Sequence, residues 1–297
     1  MEFHCEDLPQ YGVVLVPPTA AEYDSLVADI QRRLDHPVEG SPPLPESMRR
    51  RISEQDRETS AILLNRSRSG IAAIQQVWTL REESGRTYTS SIGGGTNPSV
   101  LLPFGIPEKF LKLYGYWHVI LPGSKRYLST RGEQLGDNSD VRPPGSEEVW
   151  SGGVVGAGGG GGSRSRGPMQ EVTLTLDGVF FTDGGFAGPN RNGLWEQIVS
   201  NAEAHVRLAK IAREGHDNGV APEKILAEIE TVTGPATDRP PVPRPPRDGS
   251  APEMYAESAL QMLAWQIAMY RKGQGDERTV YMLMAGGEVQ LPNFRKL

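Results

Sequence analysis

Four side chains could build an acid/base or metal site if folding brought them together: His118, His205, Asp177 and Glu196. An imidazole titrates near neutrality and ligates metals, and a carboxylate can orient it or share the ion. His118 follows the aromatic residues Tyr114, Tyr116 and Trp117, and His205 lies beside the apolar stripe of a helical segment. The two would meet only where that helix packs on that strand. Histidines isolated in apolar settings ordinarily pack and satisfy one hydrogen bond, so no catalytic or metal role is assigned. His118, His205 and Glu196 are the candidates for acid/base work, and Asp177, His118 and His205 for a metal. Asp183 and Asn190 could add oxygen ligands for a hard cation. An EF-hand loop, however, alternates its ligands, and Gly184, Gly185, Phe186 and Ala187 carry no side-chain oxygen. Asp183 and Asn190 therefore read as residues that stabilise turns through local hydrogen bonds.

Other reactive patterns fail on detail. No serine stands in a Gly-x-Ser-x-Gly context, and the lone Cys5 has no activating neighbour motif, so hydrolysis lacks a nucleophile. His4 and Cys5 are adjacent, a poor chelate, and their terminal position predicts disorder. The run Gly158 to Gly162 leads into Ser163-Arg-Ser-Arg166 rather than the Gly-Lys-Ser/Thr of a phosphate-binding loop. Arg49 to Arg51 reads as a solvated charge run. The two PxxP registers Pro240/Pro243 and Pro243/Pro246 read as spacer. No cofactor is implied.

The elements that would position these residues are legible as patterns. Val172, Leu174 and Leu176 alternate with Thr173, Thr175 and Asp177, and Val179 to Phe181 carries that strand onward. Asp183, Gly184 and Gly185 then supply a tight turn with positive φ, and Gly188, Pro189 and Asn190 form a second turn feeding a helix. That helix runs from about Gly193 to Glu214 on a stripe of Leu194, Ile198, Ala202, Val206 and Ala209. Pro222 opens another helix, which Gly234 ends. Further helices are predicted over Glu253 to Lys272 and Glu277 to Ala285. Near the start, a strand over Tyr11 to Val16 precedes a helix with a Thr19/Glu22 capping box, stopped near Asp35 by Pro37. Strands are predicted at Ala61 to Leu64, Ile71 to Leu80, Thr87 to Ile92 and Tyr116 to Leu121, with Gly93 to Pro98 a loop. Short intervals between strands predict antiparallel pairing.

The resulting fold class is α+β, an antiparallel β-sandwich with an N-terminal helix and a C-terminal helical extension. Its expected parts are 1–57, helix and linker; 58–192, sandwich with a Gly-rich insert at 151–167; 193–234, helical appendage; 235–250, Pro-rich linker; and 251–297, helical. Length of 297 residues allows one or two domains with a full core. The 35 Gly and 24 Pro predict long irregular stretches. A net charge of −6 offers no field for nucleic acid or anionic lipid. One cysteine and an acidic start without an apolar leader predict a reducing, cytoplasmic setting.

The segment Leu176 to Asn190, with its D-x-V-x-F-x-D-G-x-F-x-G-P pattern before a helix, resembles a set of uncharacterised bacterial proteins. Leu64 to Trp78, where an N-x-S turn separates two strands, is similar to theirs as well. The resemblance covers roughly residues 59–215. It implies an immunoglobulin-like or fibronectin-like sandwich with a helical appendage and transfers no activity. The expected function is a non-enzymatic protein-interaction or scaffold role. The alternatives are a metal-assisted hydrolase or small-ligand binder built on the His/carboxylate set, and a self-assembling structural subunit. The expected partner is a protein or a second copy, with no nucleic acid and no membrane.

Overall fold

The computed structural model describes residues 1–36, 52, 54–95, 120–130, 134–136, 168–236, 252–286 and 293–297. They fall into two compact units: a mixed-sheet unit of residues up to 189 together with Arg295–Leu297, and a helical unit within Asn190–Phe294. The chain is α+β, with two sheets and five helices among the described residues.

The sheet unit is organised around two long strands, β4 (Ile71–Glu82) and β8 (Met169–Phe181), paired antiparallel along most of their length. β5 (Thr87–Gly95) pairs with the other side of β4, through a turn in which Gly85 has φ 82°. β1 (Glu2–Glu6) lies parallel to the first half of β8, and β9 (Gly185–Ala187) antiparallel to its second half. β10 (Arg295–Lys296) then lies parallel to β9. The second sheet has the order β2 (Val13–Val16), β3 (Ser60–Asn65), β6 (Lys125–Ser129), β7 (Gln134–Gly136), all antiparallel.

Both faces of the second sheet are buried, which explains why β3 reads as the continuous apolar run Ala61 to Leu64 rather than an alternating one. Leu15, Ala61, Leu63 and Leu128 point into a core shared with Ile74, Trp78, Leu80, Val172, Leu174 and Leu176 of the first sheet. Val16, Ile62 and Tyr127 point the other way, onto Tyr23, Ile30 and Leu34 of α1 (Tyr23–Asp35). Helix and sheet are also tied at the rim: Tyr23 and Ser60 share a 2.6 Å hydrogen bond, and Lys125 pairs with Asp29. The result is three layers: sheet, sheet, helix. Inside the first core, the Trp78 indole donates to Gln76 Oε1 at 3.0 Å, and Phe3 meets the Trp78 ring edge-on.

Several expectations are corrected here. His4 and Cys5 are ordered in β1: Phe3 and Cys5 face the core while backbone pairing with β8 holds the strand. Pairing is mixed rather than wholly antiparallel, because both terminal strands add in parallel. Thr19 and Glu22 form no capping box; Glu22 is itself the N-cap, with no side-chain cap bond, although the helix does stop at Asp35. Gly93 to Gly95 continue β5 instead of starting the loop. The strand predicted over Tyr116 to Leu121 is described only at its end, where Ile120 bridges Ile71. The Arg49 to Arg51 run, the pentaglycine insert and the PxxP segment lie outside the described residues.

The helical unit contains α2 (Leu194–Asp217), α3 (Pro222–Thr233), α4 (Pro252–Gln274) and α5 (Asp276–Gly286). Leu208, Ala212, Ile225, Ile229, Leu263, Ile267, Val280 and Leu283 form its common core. Pro222 occupies the first turn of α3 and Gly234 caps its end, as their types require. Helices from the 193–234 and 251–297 segments share this core.

Gly188 marks where the chain turns back over β8. Its φ is 121°, and a Cβ there would lie 2.7 Å from the Asp177 carbonyl oxygen. Gly188→Ala is expected to cost about 2–3 kcal/mol through strain and overlap. Gly85→Ala, with positive φ but open space around it, should cost about 1 kcal/mol. Denaturant unfolding of both variants checks this; equal losses would remove the close approach as the cause.

Candidate interaction surface

The candidate acid/base and metal residues fall in different parts of the structure. Asp177 is fully buried in the sheet unit, at a register shift of β8 between the pairs Gln76↔Leu176 and Gln75↔Gly178. Glu196 and His205 belong to the helical unit, both on α2. They stand about nine positions apart, roughly 13 Å of helix axis. Glu196 accepts a 2.7 Å hydrogen bond from Asn190 Nδ2. His118 lies outside the described residues. Among the described residues no three His, Cys, Asp or Glu side chains gather closely enough to hold a metal ion.

Asp183 and Asn190 organise turns. Asp183 Oδ1 accepts the Gly185 N–H at 3.0 Å, and Gly184 has φ 86°. Gly185, expected at positive φ, instead begins β9, because the turn needs only one such residue. Burial alone would raise the Asp183 carboxyl, but the Gly185 N–H and the Arg295 guanidinium, with Ser69, outweigh it and hold it below its ordinary value. Asn190, at φ 59°, accepts the Trp195 N–H at 2.9 Å through Oδ1 and so serves the start of α2. Pro189 precedes it, joining the Gly188 turn to the helix.

His205 is a half-buried residue whose Nε2 is enclosed and has no hydrogen-bond partner among the described residues. Burial lowers its pKa to about 4. It is held neutral by desolvation rather than poised for proton transfer at neutral pH. Cys5 is similarly quiet: burial, with Asp7 nearby, pushes its thiol up to about 12.

What the fold does assemble is a polar sheet face. Pairing of β1, β8, β4 and β5 sets three rows across it: Glu2, Glu171, Arg81, Thr87; His4, Thr173, Thr79, Thr89; and Glu6, Thr175, Val77, Ser91. Six of these twelve carry hydroxyls. Arg81 pairs with Glu171 at 2.7 Å, His4 approaches the same carboxylate at 3.9 Å, and Thr175 donates to Glu6 at 2.9 Å. Neighbours thus satisfy one another along the sheet instead of converging on a point. The sequence carried half of this signal, the Thr173/Thr175 alternation; the rows appear only once register is known.

On one side the sheet ends at β5; on the other β8 is paired by β1 along this face and by β9 farther on. β5 carries Thr-Tyr-Thr-Ser-Ser-Ile before its glycines, without a charge or proline, and among the described residues no strand pairs with its outer side. At the other edge β9 holds β10: Arg295 N–H donates to Gly184 O and Leu297 N–H to Phe186 O. Comparison with known proteins finds no matching family model, no similar curated protein and no similar solved structure.

The His205 environment gives a pH signature. Because its folded pKa lies below the ordinary 6.5, the unfolded chain takes up a proton that the folded chain does not between about pH 6.5 and 4, and stability falls across that window. The loss should be on the order of 2 kcal/mol by pH 4.5. His205→Phe is expected to leave stability at pH 8 nearly unchanged and to flatten the acid limb, as read by denaturant midpoints at pH 8 and 4.5.

Proposed function

We propose that this protein is a non-enzymatic interaction module, acting in the cytoplasm, that accepts an extended polypeptide segment along β5. The observation that carries the reading is the character of that edge. Among the described residues this nine-residue strand has a ladder partner on one side only, and it carries neither the charge nor the proline by which sheets ordinarily discourage further pairing. An added strand would gain main-chain hydrogen bonds along the edge, and the hydroxyl rows beside it would supply side-chain contacts. The self-satisfied polar face also favours binding over catalysis. An immunoglobulin-like or fibronectin-like connectivity is part of the same proposal, supported by the core that the two sheets share. No described helix is long and apolar enough to cross a membrane.

A photo-crosslinking residue placed at Ser90 on β5 and, separately, at exposed Lys224 on α3 tests this in cells of the source organism. Ser90 is expected to give a discrete protein adduct whose crosslinked peptide is extended, and Thr89→Lys should reduce its yield roughly tenfold by charging the edge. Equal adducts from both positions, or none from Ser90, would remove β5 as the binding edge.

A further inference from the structure

The edge opposite β5 already shows what a strand bound to this sheet looks like. Arg295, Lys296 and Leu297 lie along β9 in parallel register, Arg295 beside Gly185 and Lys296 beside Phe186. Backbone bonds beyond the ladder itself help hold them: Arg295 N–H to Gly184 O at 3.1 Å and Leu297 N–H to Phe186 O at 2.8 Å. The side chains add selectivity. The Arg295 guanidinium donates to the Asp183 carboxylate at 3.0 Å and to its backbone carbonyl at 3.2 Å. Leu297 lies over Gly185, where an added Cβ would come within 3.1 Å of its Cδ1. Tyr11 Oη donates to the Leu297 carbonyl at 3.3 Å. The slot therefore recognises a basic residue and, two positions on, leucine, in extended form.

We infer that this slot exchanges its occupant between copies, so that the Arg295–Leu297 strand of one chain docks on β9 of a second. The contact is short enough to release: a two-residue ladder, an ion pair whose two side chains are about half exposed, and a leucine that is 51% exposed. Eight residues, 287–294, separate this strand from the end of α5. Each copy carries both the slot and the segment that fits it, so exchange is reciprocal and closes as a two-fold dimer. The same contacts are made in the closed monomer and in the exchanged dimer, and the balance is set by concentration. A strand so few residues from the helix before it sees its own slot at roughly millimolar effective concentration, so half-dimerisation belongs at roughly 0.1–1 mM. This slot and β5 are opposite edges of one sheet, and the inference does not rest on the β5 reading.

Sedimentation of the unmodified chain across that range, beside a chain ending at Phe294, tests it. A concentration-dependent dimer that disappears with the last three residues is expected. A monomer throughout, or a dimer that survives the deletion, overturns it. Charge exchange gives an independent arm. Arg295→Glu and Asp183→Arg each weaken the contact equally in the closed chain and in the exchanged homodimer, so neither alone is expected to associate more than the unmodified chain. Mixed in equal amounts they should associate at least roughly tenfold more tightly than either alone, because each slot then finds an opposite charge only on the other chain's tail. A mixture of folded variants that associates no better than either alone overturns the inference. If Asp183→Arg disturbs its turn and does not fold, the deletion arm decides.

Discussion

The antiparallel ladder between β4 and β8 is the constraint on which the sheet unit depends. The two strands hold twelve and thirteen residues and pair over nearly all of them. Their inner side chains, Ile74, Trp78, Leu80, Val172, Leu174 and Leu176, supply most of the first sheet's share of the core. Their outer side chains make the middle of the polar face. β5, β1 and β9 are additions to this pair and take their registers from it. A slip of one residue would turn Trp78 and Leu174 outward and bring Arg81 and Glu171 into the core, so register and hydrophobic burial enforce each other.

The ladder is interrupted where β8 passes Asp177. There the pairing skips a residue, Gly178 stands opposite Gln75, and the Gly188 turn comes back close against the Asp177 carbonyl. Beyond this point β8 changes partner on its other side from β1 to β9. Phe180 and Phe186 lie with ring centres 5.0 Å apart across that junction. Such irregularities re-aim side chains and end pairings, and here one divides the sheet's edge between a strand from each end of the sequence.

Asp183 joins local and long-range structure in the same few atoms. One carboxylate oxygen closes the turn by accepting the Gly185 N–H, and the other receives Arg295, more than a hundred residues away. A residue legible as a turn former is thereby also the anchor of the last strand. His205, the most chemically suggestive side chain in the sequence, has the opposite fate: burial lowers its pKa and keeps it neutral near neutral pH.

Local patterns determined which segments are strands and which are helices. The alternation through Val172 to Leu176, the stripe from Leu194 to Ala209, Pro222 at a helix start and Gly234 at its end all proved to mark real elements, because steric preference and side-chain period act within a few residues. Asp183, Gly184, Gly188 and Asn190 were legible as turn residues for the same reason. Only the tertiary structure decided that Glu2–Glu6 and Arg295–Lys296 are strands, that both add in parallel, and that six hydroxyls line up in rows. Those outcomes rest on backbone N–H and C=O groups meeting across long stretches of chain, and every residue carries those groups, so no side-chain pattern announces which of them will pair.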